Sequence, residues 1–387
     1  MNLVFWQNML SIHQSAYIRA LADMGHNVTM VAERDVILVR RELGWDAPNF
    51  GPVRVLLSPD EKTVSELVCE SVKDTVHVIG GLRGYNLGER AFHACQSNGA
   101  RMGFLSEGAD PRGVRGVARR VLYNFDRIRY GRNMDFVLAM GRNGVRWYRE
   151  RGWPQGRIFA SAYITELPRM EDLDCCGRGS DDRFEIIFVG QLISRKGVDI
   201  LLRVLGRIGS KNWRLTVVGD GPLRSGYEAI ARRIGVDNRT QFLGALPNRQ
   251  TLDLIASSDL LVLPSRFDGW GAVVNEALMR GVPAICSDRC GASDLLMERW
   301  RGEVFPAEDT DALRVALCLW LDGGRKTPEL SRRIRSWAEC IEGPKAARYL
   351  IAVLDHVYRG GGCPDPPWYG SNVIPDELSL PSKGVYP

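Results

Sequence analysis

The stretch that decides the fold runs Pro264-Ser265-Arg266-Phe267-Asp268-Gly269-Trp270-Gly271-Ala272-Val273-Val274-Asn275-Glu276-Ala277-Leu278-Met279-Arg280-Gly281-Val282-Pro283. Two short apolar runs flank it, Leu260–Leu263 before and Ala284–Ser287 after. Runs of that length bounded by turn residues suit buried strands. A helix opens at Ala272, behind the Gly-Trp-Gly loop, so the segment reads as strand, loop, helix and strand, the repeating unit of a parallel sheet. Asp268 falls on the loop and Glu276 one turn inside the helix, so both face one pocket beyond the strand end. The glycines leave N–H groups free at a positive helix end, where an anion is held. Carboxylates around such an end accept from hydroxyls, so the ligand expected here carries hydroxyls and phosphates together. The alternative is a capping Asp and a solvated Glu, but a Glu set within Val273-Val274-Asn275-Glu276-Ala277-Leu278 suits solvent poorly.

Working outward, strand-like runs recur at Glu185–Val189, Arg214–Val218 and Gln241–Leu243. The first ends in Phe188-Val189-Gly190-Gln191-Leu192-Ile193-Ser194-Arg195-Lys196-Gly197, with two adjacent cations before a helix that starts near Val198. That is an anion site or a plain solvated loop. Val217-Val218-Gly219-Asp220-Gly221-Pro222-Leu223 is a backbone approach to a ligand or a tight turn. Phe242-Leu243-Gly244-Ala245-Leu246-Pro247 offers backbone groups to a base edge and says little alone.

The first half alternates in the same way, with strands expected at Leu3–Gln7, Val28–Ala32, Val53–Leu57, Thr75–Gly80, Arg101–Leu105, Asp135–Met140 and Arg157–Tyr163, and a helix at Ser15–Met24. Residues 166–183 are polar and aperiodic and read as a linker. The expected organisation is an N-terminal Rossmann-like domain over 1–165 and a second over 184–342. A closing helix follows over 343–359, then a tail over 360–387. The tail, rich in proline and glycine, is expected to pack poorly, the alternative being a strap on the surface. Open α/β sheets bind ligands beyond the carboxyl ends of their strands, so two such halves enclose a cleft.

The order and spacing of the four strand-end motifs resemble the retaining GT-B glycosyltransferases of family 4, strongly over residues 184–305 and weakly in the first half. The resemblance implies a GT-B fold with two Rossmann-like domains facing each other across the cleft. By the same resemblance Lys196 holds the donor diphosphate, Glu276 accepts from the nucleotide ribose, and Asp268 touches donor-sugar hydroxyls. Gly269, Trp270 and Gly271 supply N–H groups to sugar or phosphate, Leu243 and Leu246 lie in the base-binding stretch, and Gly190, Gln191, Arg195 and Gly219 border the donor. Two residues depart from the pattern. Gln191 stands where the family has an arginine, leaving Arg195 as the other cation, and Asp268 is one methylene shorter than the usual glutamate. The implied reaction moves a sugar from a nucleoside diphosphate to an acceptor hydroxyl, with no metal and no cofactor beyond the donor substrate.

The first half is then expected to hold the acceptor. His13, in the polar loop Ser11-Ile12-His13-Gln14-Ser15, and Glu107, in Phe104-Leu105-Ser106-Glu107-Gly108, are the candidates. His13 reads equally as a loop histidine without a ligand; Glu107 stands where the family often has a histidine, and a carboxylate there orients a hydroxyl. His77, inside an apolar run, reads as a packed strand residue. Between Arg112 and Arg132 there are seven arginines and one acid, Asp126, interleaved with Val114, Val117, Val121, Leu122, Phe125 and Ile128. Such a segment is a membrane-surface element or a solvated helix flank. It suggests a lipid-linked saccharide acceptor at an anionic membrane and a place in envelope or capsule polysaccharide assembly. Nucleic acid is not an expected partner, because no base-stacking or groove-reading motif accompanies the cations.

Composition sets the outer bounds. The chain has 387 residues, 45% hydrophobic and 25% charged, with a net charge of +5, which excludes a disordered tail protein, a collagen and a small disulfide scaffold. No apolar run approaches the ~18–20 residues of a membrane-spanning helix. Leu3-Val4-Phe5-Trp6 follows the start directly, so no signal peptide is expected. The nine cysteines lack framework spacing, and Cys286 and Cys290 have no partners for zinc, so reduced thiols are expected. The expected location is cytoplasmic, peripheral on the inner face of the membrane. Two rival readings remain at this stage: an epimerase or hydrolase of sugar nucleotides on the same fold, and a catalytically silent partner subunit.

Overall fold

The computed structural model describes residues 1–35, 48–81, 83, 85–166, 182–209 and 211–370. Most of the expected linker, residues 167–181, and the tail beyond residue 370 lie outside the described residues. The first sheet is built from β1 (Asn2–Gln7), β2 (Asn27–Ala32), β3 (Arg54–Leu57), β4 (Thr75–Ile79), β5 (Arg101–Ser106), β6 (Phe136–Met140) and β7 (Ile158–Ser161). Its order is β3-β2-β1-β4-β5-β6-β7, and every pairing is parallel. The second contains β8 (Phe184–Val189), β9 (Trp213–Val218), β10 (Thr240–Gly244), β11 (Leu260–Leu263), β12 (Ala284–Ser287) and β13 (Gly302–Phe305), in the order β10-β9-β8-β11-β12-β13. It too is parallel throughout.

The central strands β4, β6, β11 and β12 are buried along their whole length. A parallel sheet covered on both faces requires such continuous apolar runs, and they are what the sequence displays. The edge strand β13, missed in the sequence, is short, begins at glycine and buries only its ends. The first helix begins at Ile12, three residues before the expected Ser15, because the Ser11 hydroxyl accepts from the His13 N–H at 3.3 Å and caps it. Each sheet has a topological switch point, between β1 and β4 and between β8 and β11, and there a ligand crevice is expected.

The closing helix, Gly343–Arg359, follows the second domain in sequence but packs on the first. A Cβ at Gly343 would lie 2.5 Å from the Ala16 carbonyl oxygen, so the helices Gly343–Arg359 and Ile12–Asp23 meet with no room for a side chain. The Tyr349 hydroxyl donates to the Ala160 carbonyl at 2.8 Å and the Tyr358 hydroxyl to Asp135 at 2.8 Å. Residues 360–370 correct the expectation of a poorly packed tail. Trp368 is 2% exposed and meets Tyr349 edge-on at 5.9 Å, so this segment is the strap.

The strap ends on a buried polar seam between the domains. Asp294 accepts from the Arg142 N–H at 2.8 Å and from the Tyr369 hydroxyl at 2.7 Å, and its carboxylate lies 3.3 Å from the Arg142 guanidinium. Burial outweighs these partners and pushes its carboxyl up to about 6. A raised carboxyl pKa favours the folded state at low pH, an advantage complete below the ordinary value and lost as pH rises through the raised one. Two units correspond to about 3 kcal/mol. Asp294→Asn is therefore expected to remove a loss of that order between about pH 4 and pH 6, seen as a variant-minus-parent unfolding free energy that rises over this range. Parallel curves would refute it.

The cysteines among the described residues are free thiols. No described helix is long and apolar enough to cross a membrane.

Candidate functional site

The carboxyl ends of β1, β5 and β6 from one sheet and of β8 and β9 from the other line a single cleft of about 920 Å3. On the second-domain side, Gly190 follows β8, and a short 3-10 turn, Ser194–Lys196, presents the two cations. Gly197 turns the chain back with φ +72°, and a Cβ there would meet the Pro264 carbonyl oxygen at 2.1 Å. The loops after β8 and β11 are thus in backbone contact. Arg266 fastens them further, donating to both carboxylate oxygens of Asp199 at 2.8 Å and to the Ser194 carbonyl at 2.7 Å. These contacts bring Lys196 to Asp268. The lysine ammonium donates directly to the Asp268 carboxylate, while Arg195 stands 3.7 Å from its other oxygen. Asp268 is 8% exposed, so its charge is met by these two cations.

The glycine loop follows. Among the described residues the N–H groups of Gly269, Trp270 and Gly271 have no protein acceptor, and all three residues line the cleft. The Trp270 ring does not reach for ligand. It is buried, and its Nε1–H donates to Asn275 at 2.7 Å, so only the backbone of Trp270 is on offer. Glu276 sits in the first turn of the helix Val273–Met279 and lines the cleft. Burial raises its carboxyl pKa, with Arg280 opposing. Gly219 makes the β8 and β9 strand-end loops touch. Its φ is +126°, and a Cβ would fall 2.0 Å from the Gly190 carbonyl oxygen. Because that obstacle is backbone, Gly219→Ala is expected to cost roughly 2–4 kcal/mol, measured by urea unfolding. Parental stability in this variant would mean that the loops separate freely.

On the first-domain side, Glu107 follows β5 and crosses the cleft. A Cβ on Gly269 would lie 1.9 Å from its carboxylate, so the carboxylate packs directly on the glycine backbone. The Tyr163 hydroxyl donates to Glu107 at 2.6 Å. Burial, with a smaller contribution from Asp268, raises the Glu107 pKa against that hydrogen bond. His13 is buried against the cleft and stacks on Tyr163, with ring centroids 5.4 Å apart and planes at 11°. His77 is buried and accepts from the Trp6 indole at 3.2 Å; burial brings it down to about 4, as expected of a packed strand residue.

The structure therefore gathers Lys196, Asp268, Glu276, Gly190, Gln191, Arg195, Gly219, Leu246, Gly269, Trp270, Gly271, His13 and Glu107 in one cleft. Leu243 is the exception. It lies on β10, half-buried and packed on the core like its neighbour Phe242, and the loop residues Ala245 and Leu246 beyond the strand end take the lining positions. Sequence reasoning missed Gln7, Gln14, Arg83, Tyr123, Asp126 and Tyr163. Gln7 and Gln14 are 5% and 7% exposed and line the cleft. Among the described residues the Gln7 Nε2 and the Gln14 Oε1 have no partner, leaving one donor and one acceptor beside the first sheet's switch point. The signal for Gln7 was present, as a polar residue closing a buried strand. Arg83 and Asp126, paired at 2.6 Å, carried none.

Residues 178–338, less than half of the chain, match the family described as glycosyl transferases group 1. An uncharacterized glycosyltransferase of Methanocaldococcus jannaschii is 31% identical over 123 residues, 32% of each chain. The alpha-D-kanosaminyltransferase of Streptomyces kanamyceticus is 26% identical over 220 residues, 53% of this chain and 55% of the relative. A GDP-mannose-dependent alpha-(1-6)-phosphatidylinositol monomannoside mannosyltransferase of Mycolicibacterium smegmatis is 27% identical over 169 residues, 41% of this chain and 44% of the relative. The matches thus span from a third to just over half of these curated relatives. Among solved structures, the lipopolysaccharide outer core galactosyltransferase WaaB in its apo form superposes with a TM-score of 0.68 at 16% identity, covering 93% of this chain and 99% of that one. Anabaena HepE in complex with UDP gives 0.66 at 15% identity, covering 92% and 100%. The fold is GT-B, as expected, and the sequence likeness supports a GT-B glycosyltransferase.

Proposed function

We propose that the protein is a retaining glycosyltransferase of the family 4 kind, transferring a sugar from a nucleoside diphosphate to an acceptor hydroxyl in polysaccharide or glycolipid assembly. The observation that carries the reading is the Lys196–Asp268 pair, set against three unpaired N–H groups at the meeting of two strand-end loops. A diphosphate needs the cation, and sugar hydroxyls need the carboxylate. The arriving diphosphate takes the Lys196 ammonium and leaves Asp268 free to accept from the sugar. Glu276 accepts from the ribose. In the reaction the bond from the sugar C1 to the diphosphate oxygen breaks, the acceptor oxygen bonds to C1 on the same face, and its proton leaves on the departing diphosphate. Lys196, Arg195 and the loop N–H groups stabilise the charge that develops there, with no call on a metal. The acceptor end lies with Glu107, His13, Gln7 and Gln14, where hydroxyls find both donors and acceptors. A lipid-linked saccharide at the inner face of the membrane is the acceptor class we assign; the name of the mannosyltransferase relative, which acts on a phosphatidylinositol glycan, supports it.

The test is a thermal-shift screen against UDP-, GDP- and ADP-sugars, with stabilisation by one of them expected and none by the free sugars. A flat response to all three overturns the reading. The half-buried Glu107, raised in pKa near Asp268, also suits acid–base chemistry in an epimerase or hydrolase. Rapid release of nucleoside diphosphate without any acceptor would favour that reading.

A further inference from the structure

We propose that the helix Gly113–Tyr130 docks the first domain on an anionic lipid bilayer through its outward face, so that the acceptor end of the cleft opens at headgroup level. This deepens the glycosyltransferase reading by naming the surface from which its acceptor comes. Only Gly116 and Tyr130 of this helix are buried. With Tyr123 they recur every seven residues and form the inner face. Gly116 is pressed on Pro111, the Tyr123 ring lies 5.2 Å from Trp147, and the Tyr130 ring lies 4.7 Å from Phe92. At about 100° per residue, Val114, Val117, Val121, Phe125 and Ile128 fall on the opposite side. They are 88%, 56%, 49%, 63% and 68% exposed. The sequence left a membrane element and a solvated flank equally open, but a solvated flank does not turn its apolar residues outward and its aromatic rings inward.

Charge selects the occupant. Arg115, Arg120 and Arg129 are exposed beside the stripe. The helix's one acid, Asp126, is held inward by Arg83 at 2.6 Å. An apolar ridge flanked by cations is complementary to a flat anionic surface, into which the ridge inserts shallowly while the guanidinium groups meet phosphates. The same helix also walls the cleft, since Tyr123 and Asp126 line it together with Arg83. Docking by the outer face therefore sets the cleft mouth beside the leaflet, where an acceptor on a lipid carrier reaches Glu107 without leaving its membrane.

The test is sedimentation of the full chain with vesicles of mixed phosphatidylglycerol and phosphatidylcholine, and with phosphatidylcholine alone. The parent is expected to sediment with the anionic vesicles at low salt, about tenfold less with the neutral ones, and less as salt shortens the screening length below ~8 Å. Phe125→Ser/Ile128→Ser removes exposed groups only, so its folding is unaffected and its vesicle binding is expected to fall about tenfold. Arg115→Glu/Arg120→Glu/Arg129→Glu is expected to do the same. Arg119 is spared in that set because it is only half-exposed; Arg120, which donates to the Pro111 carbonyl at 3.3 Å, and Arg129, 3.7 Å from Glu89, are exposed, and circular dichroism of the triple variant checks that the helix stays in place. The indole emission of Phe125→Trp is expected to shift to the blue on vesicles and to be quenched by brominated lipid. The proposal fails if the parent ignores anionic vesicles at low salt, if either multiple variant binds as the parent does, or if that emission is unmoved. It also fails if sedimentation velocity shows a parental dimer that Phe125→Ser/Ile128→Ser dissociates, since a second copy then covers the stripe. Nucleotide-sugar thermal shifts run alongside. Their loss with vesicle binding intact counts against the enzymatic reading alone, and the converse against docking alone.

Discussion

Lys196→Ala is expected to lower kcat/KM for sugar transfer by about 100-fold or more, the consequence of removing a charge-assisted donor worth roughly 3 kcal/mol from a developing negative charge. The fold is expected to survive, because Asp268 keeps Arg195 at 3.7 Å and the loop that carries Lys196 is held by Arg266 rather than by the lysine. Circular dichroism and a melting curve check that premise, and steady-state kinetics check the prediction. The ion pair with Asp268 adds a sharper test. If the diphosphate takes the ammonium and thereby frees the carboxylate for the sugar, the two residues act on one transition state through each other. Lys196→Ala/Asp268→Ala should then cost much less than the sum of the single changes. Additive losses would mean that the pair is structural and that the diphosphate is held elsewhere. Kinetics of Lys196→Ala within a few-fold of the parent would remove the lysine from the mechanism.

Glu276→Ala is expected to weaken nucleoside diphosphate binding by roughly 30- to 100-fold, the loss of hydrogen bonds from the ribose to a charged acceptor at about 2–3 kcal/mol. The carboxylate is half-buried in the first turn of its helix, and burial raises its pKa. The sign of two pH effects follows. Only the ionised form accepts from both ribose hydroxyls, so affinity should fall as pH drops through that raised value, and Glu276→Gln should bind weakly at every pH with a flatter profile. Stability runs the other way. A group whose pKa is raised on folding stabilises below its unfolded value and loses that contribution as pH rises through the folded one. Removing its charge near neutral pH should therefore not lower the melting temperature, while binding suffers. That opposition separates a ligand-holding carboxylate from one kept for the fold. Isothermal titration calorimetry at two pH values decides it, and parental affinity in Glu276→Ala would sink the assignment.

The sheets and the second-domain side of the cleft were legible in the chain before any packing was known. Both come from short-range chemistry. A parallel strand buried on both faces has to be a continuous apolar run, so β1, β4, β6, β11 and β12 were visible as such. Lys196 and Asp268 sit in the loops that follow strands directly and Glu276 in the first turn of the helix behind such a loop, so the strand ends located all three once the strands were found. The edge strand β13 escaped because it buries too little to show a pattern. Tertiary structure alone decided what distant segments do to one another. Lys196 meets Asp268 because Gly197 admits the Pro264 carbonyl, and the Glu107 carboxylate rests on the backbone of Gly269, where a Cβ would displace it. Packing made Trp270 a core residue that lends only its backbone, turned Leu243 onto the core, and left one polar atom of each buried glutamine, Gln7 and Gln14, without a partner among the described residues beside the cleft. It also chose which face of the arginine-rich helix looks outward. The periodicity of that segment fixed a stripe, but a stripe points to core or to solvent according to what lies across from it. Here Gly116, Tyr123 and Tyr130 take the inner face and the apolar residues are left exposed.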